Sequence, residues 1–441
     1  MDKSAAAVRE VLVLCATHRD RREFARIAAR NAVRFHFHDY ASLELEQLAA
    51  WLPTSGEISN ACDEVSRVIA ELGPGLHAVV STDDYPGSLL AAVIASRLGL
   101  PGVAPVASLR CQHKYLARLA QRRLVPEAVP SFALVDHRDA AVRGVDFPMF
   151  VKPVKSFFSI GGSRVDSRAG LEAAVATATL PAVFYQPLEE IMGLYPEAGL
   201  AGIGPHTVIA ESLLHGRQCT LEGYVWQGSI AIVGVVDSVF YPGTGSFQRF
   251  EYPSSLPREM LARLDAIATR LMQAMDYGDG FFNIEFMVDP PGESVHIIEV
   301  NPRLASQFAD LYEKVDGSNT YEMLLDISLG KPPARTRGAG RHRMAASCAL
   351  RLFEDAYVRS LPPDAAVELL QEKYPDMRIE LLATAGARLS QEMQDGQSFR
   401  YAILSIGAGD RTQLLRILDE CVGALPFDFA ETGDTAKRAI S

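Results

Sequence analysis

No apolar run in the 441 residues is long enough to cross a bilayer as a helix, so no membrane span is predicted. The opening stretch Met1-Asp-Lys-Ser-Ala-Ala-Ala-Val-Arg-Glu10 lacks the apolar core of a signal peptide, and a cytoplasmic protein is expected. Cysteine is sparse. The six (Cys15, Cys62, Cys111, Cys219, Cys348, Cys421) show no CxxC pair and no framework spacing, which argues against a disulfide scaffold. Reduced, buried thiols are expected instead. Basic residues are outnumbered, 43 Lys and Arg against 54 Asp and Glu, and the net charge of -11 argues against a general nucleic-acid binder. A small nucleotide stays open, because it needs only a local cluster of cations. No Gly-rich dinucleotide fingerprint follows the first apolar strand, Val11–Cys15, so a NAD site has little support. No Ser–His–Asp or Cys–His arrangement offers a protein nucleophile.

What is present has the composition of a globular protein, 48% hydrophobic and 22% charged. A chain of this length is expected to fold as about two to four domains. Its first hundred residues alternate strand and helix: strands at Val11–Cys15, Val33–His38 and His77–Ser81, helices at Arg21–Arg30, Ser42–Trp51, Ile58–Leu72 and Gly87–Leu98. Such alternation implies a parallel sheet covered on both sides. His36 and His38 alternate with Phe35 and Phe37 and read as a polar strand face. From Cys111 the texture changes to a helix at His113–Arg123 followed by scattered strands, among them Val208–Leu214, Cys219–Trp226 and Ser229–Asp237. The segment Gln186–His206 reads as an insertion near a site or as an elaborated surface loop. Pro242–Arg249 reads as a mobile loop closing over phosphates or as a plain turn. The Pro-, Gly- and Arg-rich segment Gly330–Arg343 reads as a solvated linker more than a phosphate site. Beyond it, strands at Met344–Leu352, Arg378–Leu382, Ala385–Leu389 and Phe399–Ile406, with a helix at Asp410–Val422, suggest a small α+β end domain.

The chemistry is concentrated in one hairpin. Phe281–Asp289 and Val295–Asn301 both alternate, and Pro290-Pro-Gly-Glu-Ser294 between them is turn chemistry. Pairing Asp289 with Val295 would set Glu285 opposite Glu299 and Asn283 opposite Asn301. Like charges directly across a ladder, with Cβ atoms about 4.5–5.5 Å apart, destabilise it unless something positive lies between them. Two carboxylates and an amide oxygen are hard ligands suited to Mg²⁺ carrying phosphates. Glu285, Glu299 and Asn301 are therefore the expected metal ligands. Arg303, just beyond, is placed to hold an anionic oxygen or to neutralise a transferring phosphoryl group.

Lysines supply the second half. Lys152 stands in the apolar strand Phe147–Pro153, where a charge is costly and a triphosphate would offset the cost. The loop that follows holds Ser159, Gly161, Gly162 and Ser163, small residues that let backbone N–H groups approach phosphate oxygens.

Taken in order, Lys114, Lys152-Pro153, the small-residue loop, Glu211-Ser-Leu-Leu214, Glu285 and Glu299-Val-Asn-Pro-Arg303 resemble the ATP-grasp superfamily, most closely its carboxylate–amine ligases of the L-amino acid ligase type. The resemblance is strong from Leu100 to Leu329. It implies an ATP-grasp fold of α/β and α+β character: an N-terminal Rossmann-like domain (1–109), an ATP-grasp domain (110–335, with a lid-like part to 214 and a metal-bearing part from 215) and a C-terminal α+β domain (344–441). It further implies that Lys114 and Lys152 contact ATP phosphates and the adenine edge, with Ser159, Gly161 and Gly162 at the phosphates. Glu211 and Leu214 would lie at the adenine hinge, Gln218 near the ribose, and Glu222 facing the phosphate space. Glu285, Glu299 and Asn301 would hold two Mg²⁺ ions, with Mn²⁺ able to substitute, and Arg303 the acyl phosphate. The implied reaction joins a small-molecule carboxylate to an amine, with homodimerisation common in the fold. A bicarbonate-activating carboxylase and a non-catalytic nucleotide-binding module are the alternatives. Departures from the family pattern are Phe157, Phe158 and Ile160 in the phosphate loop, and Leu304-Ala-Ser-Gln307 after the arginine.

Overall fold

A computed structural model describes residues 8–39, 60–135, 142–156, 160–178, 180, 182–199, 203–204, 207–289, 294–391 and 398–430. The predicted helix at Ser42–Trp51 lies outside them. At the N-terminus, β1 (Arg9–Leu14), β2 (Val33–His38) and β3 (Ala78–Val80) form a parallel sheet in the order β2-β1-β3. Residues 11–14 of β1 are buried, the pattern of a strand covered on both faces. The covering helices are α1 (His18–Ala28), α2 (Ala61–Leu72) and α3 (Gly87–Leu98). α1 starts at a capping box: Asp20 accepts from the Thr17 backbone N–H at 2.7 Å while Thr17 Oγ1 accepts from Asp20 N–H at 3.3 Å.

Next come α4 (Pro105–Gln112), α5 (Lys114–Leu124) and an antiparallel sheet of β4 (Phe132–Leu134), β5 (Met149–Pro153), β6 (Ser163–Val165) and β7 (Val208–Ser212), ordered β4-β7-β5-β6. α6 (Arg168–Thr177) packs on it through Leu171 and Val175. α7 (Ala182–Leu194) does not. Its Phe184, Tyr185, Leu188 and Ile191 share a core with Leu89, Val93 and Val65 of the N-terminal unit. The segment expected to be an insertion or surface loop is thus, in its described first half, a helix built into the N-terminal core.

The third layer holds β8 (Arg217–Trp226), β9 (Ser229–Phe240), β10 (Phe247–Tyr252), α8 (Arg258–Ala274), β11 (Gly280–Val288), β12 (Val295–Asn301), α9 (Ala309–Asp316) and α10 (Thr320–Ser328). It continues with β13 (Met344–Leu352), β14 (Tyr357–Ser360), α11 (Asp364–Lys373), β15 (Arg378–Leu381), β16 (Phe399–Ala408), α12 (Arg411–Ala424) and β17 (Asp428–Ala430). One eight-stranded antiparallel sheet runs β12-β11-β8-β9-β10-β13-β16-β15, and β14 pairs with β17. α8 covers one face with Leu264, Ile267 and Leu271 against Ile284, Phe286 and Val300. α9 and α10 cover the other, against Tyr224 and Phe281.

Four expectations change here. The predicted boundary before Met344 does not break the sheet, since β10 pairs with β13 from Arg249↔Cys348 to Tyr252↔Ala345. The Arg-rich segment is strapped down, Arg335 donating to Val233 O at 3.0 Å and Arg337 to Ile232 O at 3.1 Å. Residues 242–246 are the turn of the β9–β10 hairpin, closed by Tyr241 N–H to Ser246 O at 3.0 Å, and 247–249 are strand. The expected strand at Ala385–Leu389 is a turn touching β14 through the isolated bridge Tyr357↔Arg388. Among the described residues, no helix is long and apolar enough to cross a membrane. All six cysteines are free, and burial pushes Cys111, Cys219 and Cys348 up to about 12.

Candidate active site

One face of β8, β11 and β12 turns from core to cleft within a few residues. Tyr224 and Phe281 are core. The next row on that face is Glu222, Asn283 and Asn301, and the row after it is Thr220, Glu285 and Glu299. The expected register is reached by a different route. The hairpin starts with Val288↔Val295, one residue from the predicted Asp289↔Val295, and a bulge at Ile298 restores Glu285↔Glu299 and Asn283↔Asn301. A bulge re-aims side chains in this way. Here it is pinned, because Arg118 donates from Nη2 to Ile298 O at 2.8 Å.

The facing carboxylates titrate apart. Burial, then Glu299 opposite, pushes Glu285 up to about 7. Burial acts to raise Glu299 too, but Lys114 at 3.0 Å, with Lys155, outweighs it and holds Glu299 below its ordinary value. Gln218 donates to Glu285 Oε2 at 2.9 Å, so the residue expected near a ribose braces a carboxylate here. Asn301, oriented to satisfy its surroundings, donates to Glu299 Oε1 and Asp84 Oδ1, each at 3.0 Å. Its amide oxygen would therefore have to turn before it could meet a cation. Among the described residues, no group of three His, Cys, Asp or Glu is arranged to hold a metal ion alone. Two carboxylates whose charge is only partly matched do fit a cation that brings its own phosphate oxygens.

A second cluster lies where β7 and α5 meet. Glu211 accepts from Arg118 Nε at 2.7 Å and pairs with Lys152 at 2.8 Å. Burial opposes its ionisation, but Arg118 and Lys152 prevail and hold it down at about 2. The burial cost of Lys152, expected to fall to a triphosphate, is thus already met by Glu211, although burial still lowers the lysine. Glu211, expected at the adenine hinge, is the buried anion of this knot. Leu214 follows in the half-buried link to β8, where Gly216 passes so close to β11 that a Cβ would fall 2.1 Å from Val288 O.

Glu222, expected to face the phosphates, is wholly buried and accepts from Ala305 N–H at 2.5 Å, and burial pushes it up to about 8. It braces the bend after Arg303 from below. Gly161 and Gly162 form the β5–β6 turn, where Gly161 at φ +74° lies on Pro153, 2.9 Å from a would-be Cβ. Ser159 lies outside the described residues.

All the expected site residues except Lys114 fall within a segment that matches a known domain family. Residues 145–310 fit the model of the ATP-grasp domain. That segment is similar to the ATP-grasp domain. The chain is 29% identical over 205 residues to a D-alanine–D-alanine ligase of Kineococcus radiotolerans, covering 44% of this chain and 50% of that one. It is 30% identical over 167 residues to another from Arthrobacter sp., covering 35% and 38%. The chain thus spans half or less of the length of these relatives. Its fold is that of the L-amino acid ligase from Bacillus licheniformis (TM-score 0.71, 16% identity, 96% and 100% coverage). It also matches the biotin carboxylase domain of the Hydrogenobacter thermophilus 2-oxoglutarate carboxylase (TM-score 0.67, 12% identity, 96% and 92%).

Three residues of this site escaped the sequence reading. Arg118 is one turn from Lys114 on α5, and the i,i+4 spacing places both on one face. Lys155 follows Lys152 in Lys152-Pro-Val-Lys155. Its side chain is 3% exposed, and its ammonium meets Asp84 Oδ2 at 2.7 Å. Asp84 comes from the N-terminal unit, just past the carboxyl end of β3, the edge where parallel sheets bind ligands. Arg303 Nε also approaches it, at 3.3 Å. Burial would raise Asp84, but Lys155 and Arg303 hold it well below the usual carboxylate range.

Proposed function

We propose that this chain is an ATP-dependent carboxylate–amine ligase acting on amino-acid-like substrates. The observation that carries the reading is the Glu285–Glu299 pair, faced by Lys114 and flanked by Lys155 and Arg303. Glu285 and Glu299, joined by Asn301 once its amide turns, are the groups for Mg²⁺, and Mn²⁺ would substitute. Bound there, the metal would neutralise phosphate charge and orient the terminal phosphoryl group. Lys114 and Lys155 supply positive charge on the same side, and Lys152 stays tied to Glu211.

The donor carboxylate takes the terminal phosphoryl group of ATP, giving an acyl phosphate and ADP. The amine then attacks the carbonyl carbon, an amide bond forms, and phosphate leaves. Neither step needs a protein nucleophile, only positioning and charge neutralisation. Arg303 is placed to stabilise charge on the transferring group. The D-alanine–D-alanine ligase relatives support a carboxylate–amine pair over bicarbonate as substrate.

The test is phosphate release from ATP and Mg²⁺ with pairs of amino acids, against bicarbonate alone, with product masses recorded. The expected result is release stimulated by amino acids, with a product lighter by one water than the sum of the pair. Stimulation by bicarbonate alone would replace the reading with a carboxylase. ATP binding without turnover would replace it with a nucleotide-binding module.

A further inference from the structure

Asp84 is a carboxylate from outside the ATP-grasp match that sits among that domain's own anion-binding groups. Lys155 meets it at 2.7 Å, the Asn301 amide at 3.0 Å and Arg303 at 3.3 Å. Two cations and an amide donor converging on one carboxylate form an oxyanion seat. We propose that Asp84 fills, in the ligand-free chain, the seat of the donor substrate's carboxylate, and that the donor binds by displacing this side chain from Lys155 and Arg303. This rests on the ligase reading and adds to it a residue that sets the chain's threshold for small carboxylates.

The loop that carries Asp84 is fixed at several points, which confines the exchange to the side chain. Gln112 Nε2 donates to Asp84 O at 2.6 Å. Asp83 Oδ2 accepts from Gly87 N–H at 2.7 Å, and a Cβ on Gly87 would fall 2.6 Å from Ser81 Oγ. Tyr85 locks the loop to α7, its hydroxyl donating to Phe184 O at 2.8 Å and accepting from Leu188 N–H at 2.9 Å. Lys155 is fixed as well, with its ammonium 5.0 Å from the centre of the Tyr85 ring. The partners therefore stay in place when the carboxylate leaves. An arriving carboxylate meets a preformed pair of cations and competes with one internal anion. An amine or an uncharged acid analogue gains nothing from that exchange.

The seat is tested on the full chain without turnover, by calorimetric titration with acetate, with inorganic phosphate and with ATP. Asp84→Asn keeps the shape and removes the competing charge, so acetate should bind at least about tenfold more tightly than to the wild type. Asp84→Glu keeps the charge and extends it into the seat, and should bind acetate no better than wild type. It also preserves the ion pairs should the amide variant fail to fold. Unchanged or weaker acetate binding to a folded Asp84→Asn would overturn the proposal and leave Asp84 a brace for Lys155 and Arg303. Tighter ATP or phosphate with unchanged acetate would also overturn it, giving the seat to the transferring phosphoryl group. Because binding is read directly, the seat stands or falls apart from the ligase reading, which fails separately if no amide product forms.

Discussion

Glu211 and Glu285 are both carboxylates of β-strands beside the same cleft, and they titrate in opposite directions. Glu211 has its cations built in, Arg118 and Lys152, and is held down at about 2. Glu285 has another carboxylate across the ladder and a glutamine beside it, and is pushed up to about 7. Burial is common to both; the partners decide. The first carboxylate is satisfied by the fold and holds the fold together. The second is left short of positive charge by the fold, which is the condition for recruiting a cation from solution.

The largest expected effect comes from breaking the satisfied side. Glu211→Gln would leave Arg118 and Lys152 buried without their anion, and should cost about 3–5 kcal/mol of stability, the usual cost of breaking a buried ion pair from one end. Denaturant unfolding would measure it. A loss under about 1 kcal/mol would mean that water or a mobile partner already shares those charges.

On the unsatisfied side the balance inverts. Glu285→Gln should lower turnover by about a thousandfold or more, roughly 4 kcal/mol of transition-state stabilisation. It should leave the metal-free protein as stable as the wild type or more so, because repulsion across the ladder is relieved. Glu299→Gln should match it in turnover but not in stability, since Lys114 at 3.0 Å would lose its partner. Equal stabilisation by both variants would show that Lys114 does not discriminate between the two carboxylates.

The comparison also has a pH signature. Glu211 contributes stability that is complete above about 4.5 and is lost as pH falls through about 2. Glu285 acts in the opposite direction. Below 4.5 it is protonated in both folded and unfolded chains, and its penalty grows as pH rises from 4.5 to about 7. Without Mg²⁺, the unfolding midpoint of the wild type should therefore decline across that window more steeply than that of Glu285→Gln. Parallel pH curves for the two proteins would remove the raised carboxyl from the explanation.

The two sides were unequally legible in the sequence. Strand alternation is a local property, and it placed Glu285 opposite Glu299 even though the assumed register at the turn was off by one. The error cancelled because a bulge at Ile298 sits between the turn and the carboxylates. The carbonyl at that bulge is held by Arg118, which lies 180 residues away in sequence, and no local pattern reveals such a contact. Separation in sequence also hid the partner of Lys152. A lysine in an apolar strand announces a missing anion, but not whether the anion is a ligand or a glutamate on the neighbouring strand. Asp84 was hidden by belonging to another unit, and the end domain was drawn too sharply because sheet pairing across a linker leaves no mark on composition.

The smallest expected effect tests the edge of the comparison. Gln218 touches Glu285 on the cleft side and is the one neutral donor recorded on that carboxylate among the described residues. If its work is to orient Glu285, Gln218→Leu should raise the Mg²⁺ concentration needed for half-maximal phosphate release by about 3- to 10-fold, at or below the low end of the usual cost of losing a group that orients a metal ligand. The apparent affinity for ATP at saturating Mg²⁺ should stay within about twofold of wild type. The opposite split, weaker ATP with an unchanged Mg²⁺ requirement, would return Gln218 to the ribose. It would also make Glu285 dependent on Glu299 and burial alone, so that its difference from Glu211 rested on the ladder and on nothing beside it.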